Sequence, residues 1–226
     1  ASPTAAPQPT AKPAATSTPE PTATPTPAPT VPPTETPSPF PVTVIDSNGE
    51  EVVFEEAPSK IVALDSAVVE FLFAMGEGDR IVATHDFLTY PPEAVDLPRV
   101  GSAFQVNAER ILELDPDLIT VFFASAVDAV SGLGIPVLYI ETPQDVQGIP
   151  EQIQMWGAIV NNPEAAGRVI EKFDSRLAMI LEKLADVEEG PRVFHDDSLF
   201  YTSGPDTFVG NAYTLLKAQN IANDLP

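Results

Sequence analysis

No cysteine occurs among the 226 residues, which removes disulfides, thiolate nucleophiles and Cys-ligated metals. Bases are scarce: 11 Lys and Arg face 33 Asp and Glu, a formal net charge of −22. Binding to nucleic acid needs clustered cations to neutralise phosphates, and no such cluster exists. The same shortage disfavours attraction to an anionic membrane surface. Histidine occurs only at 85 and 195, with no second ligand near either at metal-binding spacing, so no metal site is expected. There is no G-x-x-x-x-G-K-[ST] phosphate loop and no G-x-S-x-G elbow. Gly132-x-Gly134 alone is a turn, and Asp115 and Asp117, flanking Pro116, look like helix-end punctuation. Nothing selects a glycosidase-like carboxylate pair. No enzymatic activity and no cofactor are expected. The longest apolar runs, such as Leu118–Val127, are too short to span a bilayer.

What is present divides sharply by composition. Residues 1–41 hold 14 prolines and 10 threonines, with only Lys12, Glu20 and Glu35 charged and Phe40 the one aromatic. Such a stretch buries too little apolar surface to offset its ordering entropy, and a disordered or polyproline-like stalk is expected. Residues 1–30 lack both a basic n-region and an apolar h-region, so no signal peptide is visible. Two expectations stand side by side: Ala1 follows a removed signal, directly after a lipidated cysteine, or it marks an arbitrary boundary.

From Val42 onward the chain is rich in Val, Ile, Leu and Phe. Val42–Asp46 and Glu51–Phe54 read as a hairpin around Ser47-Asn48-Gly49. Ile61–Leu64 and Ile81–Thr84 read as strands, with a helix at Ala67–Met75 closed by Gly76. Tyr90-Pro91-Pro92 breaks the chain. The stretch VGSAFQVNAERILELDPDLIT follows, with Asn107 as N-cap, Glu109 and Arg110 in the first turn, and Ile111, Leu112 and Leu114 as the buried stripe. Pro116 stops that helix, and Leu118–Phe122 has the length and flanks of a buried parallel strand. A short helix near Ser125–Val130, a strand at Pro136–Ile140 and a helix at Ile149–Val160 complete residues 42–161. Strands alternating with helices through short connections predict an α/β lobe on a parallel sheet.

Asn162-Pro163-Glu164 is a helix start: an N-cap, a proline at the first position, an acid in the first turn. Ala166, Val169, Ile170, Phe173, Leu177, Ile180, Leu181 and Leu184 then follow three-four spacing to about Val187. Residues 162–188 would form one helix roughly 35 Å long, enough to cross between two lobes. Residues 189–226 contain a strand at Arg192–His195, a turn at Ser203-Gly204-Pro205 and a helix at Val209–Ala218. They read as the start of a second lobe, incomplete by about 100 residues, or as a stub docked on the first.

The strings KIVALDSAVVEFLFAMGEGDRIVATHDFLTYPPEA, LPRVGSAFQVNAERILELDPDLI and GLGIPVLYI resemble the periplasmic-binding-protein family of iron-siderophore, haem and cobalamin ABC importers. The resemblance covers roughly Val42 to Pro226. It implies two Rossmann-like α/β lobes joined by one long helix, the second lobe incomplete in this chain. It also implies a ligand held between the lobes by loops at the carboxyl ends of strands. Those loops hold Asp65-Ser66, His85-Asp86-Phe87, Gly101–Gln105 and Phe122-Phe123. Phe87 and Phe122 match positions where cobalamin-binding members carry ligand-stacking aromatics. Phe104 lies one residue from a third such position, occupied here by Ala103. Aromatic faces suit a large flat macrocycle or a catecholate, although core packing explains any single Phe as well. The candidate ligand-binding set is Asp65, Phe87, Phe104, Phe122 and Phe123.

His85, at a strand end, could coordinate haem iron or bond a ligand carboxylate, or be an ordinary half-buried polar residue. Asp196-Asp197 could meet a cationic ligand group or form a solvated loop. Glu109 matches a glutamate that cobalamin-binding members use to engage arginines of the permease; an acid in a first turn also favours the helix dipole. Glu70 is read as structural. The resulting expectation is a monomeric, extracytoplasmic solute-binding lipoprotein. It would bind an iron or cobalt chelate and deliver it to an ABC permease whose ATPase does the work. With its second lobe incomplete, the chain would bind that ligand weakly or not at all. A surface-anchored interaction or adhesion module without small-molecule transport is the alternative.

Overall fold

The computed structural model describes residues 39–102, 104–196 and 201–223. Most of the expected stalk, Ala103 and Asp197 therefore lie outside the described residues. The centre is a four-stranded parallel sheet of β3 (Ile61–Ala63), β4 (Ile81–Thr84), β7 (Leu118–Val121) and β8 (Val137–Tyr139), in the order β4-β3-β7-β8. Every residue of β3 and β7 is buried, as short unbroken apolar runs require in a sheet covered on both faces.

Side-chain alternation divides the core in two. Ile61, Ala63 and Leu118 face helices α1 (Ser66–Met75) and α4 (Gly148–Ile159), meeting Val69, Leu72, Ile153 and Trp156. Val62, Ile119 and Val121 face α2 (Ala108–Glu113) and α3 (Ala124–Val130), meeting Ile111, Ala126 and Val130. A hairpin of β1 (Val42–Ile45) and β2 (Glu51–Phe54) flanks the sheet. Its turn is built by Asp46, whose Oδ1 accepts from Asn48 N at 2.8 Å and Glu50 N at 2.9 Å. Ser47 N then donates to the Tyr139 carbonyl at 2.8 Å, pinning the turn to the end of β8.

The two expected caps act as caps: Asn107 Oδ1 accepts from Arg110 N at 3.1 Å and Asn162 Oδ1 from Ala165 N at 3.1 Å. Asp65, not anticipated in that role, caps α1 by accepting from Ala67 N at 2.8 Å. The α2 stripe needs correction: Ile111 is fully buried, but Leu112 is 51% exposed. A six-residue helix offers the sheet one narrow face, and the residue after Ile111 is turned about 100° away from it. Asp115 and Asp117 are structural. The Asp117 carboxylate accepts from Ser59 N, Ser59 Oγ and Lys60 N at 2.7–3.0 Å, and Asp115 pairs with Lys60 Nζ at 3.1 Å.

Helix α5 (Pro163–Lys183) is one continuous helix, ending a turn earlier than its pattern suggests. Its root is clamped: Asn162 Nδ2 donates to Glu77 Oε1 at 2.7 Å, and Arg80 pairs with Glu77 at 2.6 Å while reaching the Pro58 and Val160 carbonyls. Burial opposes ionisation of Glu77, but the Asn162 and Arg80 hydrogen bonds and the Arg80 charge outweigh it and hold the carboxyl below its usual range. Only the first part of the stripe is covered. Ala166 is buried and Phe173 half-buried, whereas Ile180 is 44% exposed, because α5 packs on α4 and α1 near its start and then runs beyond that layer.

After α5 come β9 (Arg192–Val193), α6 (Phe208–Leu215) and β10 (Gln219–Asn220). The last strand was not anticipated; it pairs in parallel with β9, so a second α/β unit begins here. Among the described residues no helix is long and apolar enough to cross a membrane.

Candidate functional site

In the order β4-β3-β7-β8 the chain winds outward from β3 to β4, then crosses back to β7 on the other side. Loops leaving the carboxyl ends of β3 and β7 therefore diverge, and a crevice opens between them. A cavity of about 620 Å³ lies there, within the size range of small-molecule sites. Asp65, Phe87, Phe104 and Phe122 all line it, although they come from four separate stretches of chain.

The aromatic wall has a built support. Phe123 is not part of the lining. It lies beneath, with its ring stacked on Phe104 at 4.7 Å between centroids and edge-on to Phe122 at 4.6 Å. Phe104 projects from a small hairpin of β5 (Gly101–Ser102) and β6 (Gln105–Val106) that sequence patterning missed. Gly101 makes that hairpin possible: its φ is +95°, and a Cβ there would lie 2.2 Å from the Gln105 carbonyl oxygen. The rings stay open to solvent, Phe87 at 73% and Phe104 at 75%. So much exposed aromatic surface gathered at one crevice marks a binding face.

Phe87 is aimed by polar groups. His85 Nδ1 accepts the Phe87 backbone N–H at 3.3 Å, and His85 Nε2 is 2.9 Å from Ser66 Oγ. A neutral ring meets both contacts, with Nε2 carrying the hydrogen. Burial and then the neighbouring Arg99 charge push the His85 pKa down, against the opposite effect of Asp86. Arg99 holds the loop from behind, donating to the carbonyls of His85, Leu88 and Val95 at 2.8, 3.2 and 2.5 Å. Asp86 N donates to the Gly101 carbonyl at 2.9 Å, tying this loop to the Phe104 hairpin.

Asp65 is the most perturbed carboxylate. Burial raises its pKa to about 6, the Ala67 and Val68 backbone bonds work against that, and the nearby Glu70 charge adds to it. Glu70 is not a structural residue, as its sequence suggested. It is exposed and lines the cavity, and burial moves its pKa upward. Ser102, from the expected Gly101–Gln105 loop, lines the cavity too, and so do Gln152 and Phe208, which were not anticipated. Phe208 arrives from α6, where Thr207 Oγ1 caps the helix by accepting from Gly210 N at 3.1 Å and Asn211 Nδ2 donates to the Gln144 carbonyl at 3.1 Å. Only folding brings it to the crevice.

Glu109 lies elsewhere, exposed on α2 beside Arg110 and Glu113. Asp196 is exposed and outside the crevice, and His195 Nδ1 is 2.9 Å from the Tyr213 hydroxyl. Among the described residues no three His, Asp or Glu side chains gather as a metal site.

The sequence profile of the family described as periplasmic binding protein matches residues 61–226. An uncharacterized ABC transporter substrate-binding lipoprotein of Bacillus subtilis, YvrC, is 32% identical over 82% of this chain and 62% of its own length. A cobalamin-binding protein of Halobacterium salinarum is 29% identical over 82% of this chain and 52% of its own. The chain thus spans about half to three fifths of these relatives. Among solved structures, the periplasmic vitamin B12 binding protein BtuF of Vibrio cholerae superposes with a TM-score of 0.64 at 24% identity, over 74% of this chain and 67% of that one.

Proposed function

The chain belongs to the periplasmic binding protein family, and from that premise we propose that it captures a metal chelate at the β3/β7 crevice and delivers it to an ABC permease. One observation carries the proposal: Phe87, Phe104 and Phe122, from three loops, converge on one cavity, with a fourth ring, Phe123, packed against Phe104 and Phe122. Flat faces presented in this way suit a macrocyclic or aromatic chelate, and each productive stack contributes about 0.5–1.5 kcal/mol beyond area burial. The cargo is a ferric siderophore, haem or a cobalamin. The protein supplies shape and contacts rather than a resident cofactor or a chemical step.

Delivery needs an exposed acid on a rigid element. Glu109, on a capped helix packed through Ile111 onto the sheet, meets that requirement. We place the protein outside the cytoplasmic membrane as a monomeric lipoprotein, a location supported by the similarity to a named substrate-binding lipoprotein.

Calorimetric titration of the purified protein with ferric siderophores, haemin and cobalamins tests capture; saturable binding of at least one is expected, and none across the panel overturns it. Trp156 is a poor optical reporter, being only 1% exposed within the core. Glu109→Ala tests delivery: chelate affinity should be unchanged, and permease-dependent uptake in cells should fall about tenfold or more.

A further inference from the structure

We propose that the crevice selects its cargo by charge, accepting neutral or cationic chelates and rejecting polyanionic ones, with Asp65 and Glu70 as the discriminating groups. The inference rests on the chelate-capture function above and narrows it to a class of cargo.

The lining supports this residue by residue. Among the described residues it contains two carboxylates, Asp65 and Glu70, and no lysine or arginine. The remaining polar groups are hydroxyls, one amide and His85, whose two nitrogens are already engaged as in a neutral imidazole. Arg99, behind the His85 loop, has its guanidinium committed to three backbone carbonyls. Lys172 and Arg176 line an adjoining groove that shares Glu70, Phe71 and Ile149 with the crevice, but Asp65 is not part of that groove. The described lining thus offers the cargo two acids, an amide and aromatic carbon, and no cation that would neutralise a ligand carboxylate or catecholate oxygen.

A polyanion would bring its charge against Asp65 in a half-buried setting, where the repulsion is screened less than between fully exposed charges. The net charge of −22 adds a long-range field of the same sign. A chelate carrying an ammonium group or amide N–H donors meets the opposite situation. Asp65, with a pKa near 6, can accept from such donors.

The test is calorimetry at about pH 7.5 with probes of graded charge: cationic ferrioxamine B, neutral ferrichrome, neutral cyanocobalamin, and trianionic ferric enterobactin. At least one neutral or cationic probe should bind about tenfold or more tighter than the trianion. The double variant Asp65→Asn/Glu70→Gln should narrow that ratio about fivefold, chiefly by strengthening the trianion, with thermal melting confirming the fold. Should the variant fold poorly, raising NaCl from about 50 to 500 mM on the unaltered protein should narrow the ratio in the same direction by screening. Equal or tighter binding of the trianion overturns charge selection alone. A ratio that neither substitution nor salt changes assigns selectivity to shape and overturns it as well. Binding of no probe overturns the capture function and this inference together.

Discussion

Ser66 Oγ and His85 Nε2 stand 2.9 Å apart, so the first residue of α1 is tied to the residue that follows β4. The pair closes the floor of the crevice, and His85 spends its other nitrogen on the Phe87 backbone. An imidazolium would present hydrogens on both nitrogens and break the second contact.

The His85 ring should therefore titrate below the ordinary 6.5, in line with its burial and the Arg99 charge. Because the folded value is the lower one, the unfolded chain takes up the proton first as pH falls. The stabilisation is complete above 6.5 and is lost as pH drops through the folded pKa. Proton NMR of the imidazole, assigned with His195→Gln, measures this; a midpoint above 6.5 contradicts it.

Asp65 should show the opposite slope. Its pKa rises from 3.8 to about 6, so between those values the folded chain holds a proton the unfolded chain has lost, and stability declines as pH rises through the window. The full shift corresponds to roughly 3 kcal/mol above pH 6. Asp65→Asn keeps a cap acceptor for Ala67 N and should stabilise the protein by about 1–2 kcal/mol at neutral pH, with no gain at pH below the unfolded value. Urea denaturation at the two pH values decides; an equal effect at both rules out the buried charge as its source.

The four phenylalanines should divide into contacts and support. Phe87 is mostly exposed, so Phe87→Ala should change stability by less than about 0.5 kcal/mol while weakening chelate binding about tenfold. Phe123→Ala removes the ring under both Phe104 and Phe122. It should cost about 1–2 kcal/mol of stability as a half-buried ring and weaken binding too. Paired melting and calorimetry separate the two outcomes.

Gly157 sits where α4 meets α5, and a Cβ added there would lie 2.4 Å from the Ala166 Cβ. Gly157→Ala should destabilise by about 1–3 kcal/mol through overpacking. Adding Ala166→Gly should recover part of that loss, since the two positions share one contact. A double variant no more stable than Gly157→Ala would place the clash elsewhere.

Much of the lobe was legible because its signals are local. Short apolar runs bounded by turn residues, such as Ile61–Leu64 and Leu118–Phe122, read as buried strands, and Asn107 and Asn162 cap through atoms three residues away. The hairpin of β5 and β6 escaped because its pairing depends on the left-handed Gly101, not on alternation. Strand β10 escaped because Gln219-Asn220 has little strand propensity and takes its state from its parallel partner β9. Phe87, Phe104 and Phe122 were legible through resemblance to a family, and composition alone would have left each as a core residue. Ser66 and His85, 19 positions apart, meet only through the register of β3 on β4. Glu70 was read as structural, and its place along the crevice follows from the facing of α1, which only the fold sets.

The clamp at Asn162 makes α5 a cantilever. A bar of 21 residues, about 32 Å long, moves at its tip by roughly 0.5 Å for each degree of angular error at its base. Loosening the Asn162–Glu77 bond would therefore shift whatever the far end carries by atomic-scale distances.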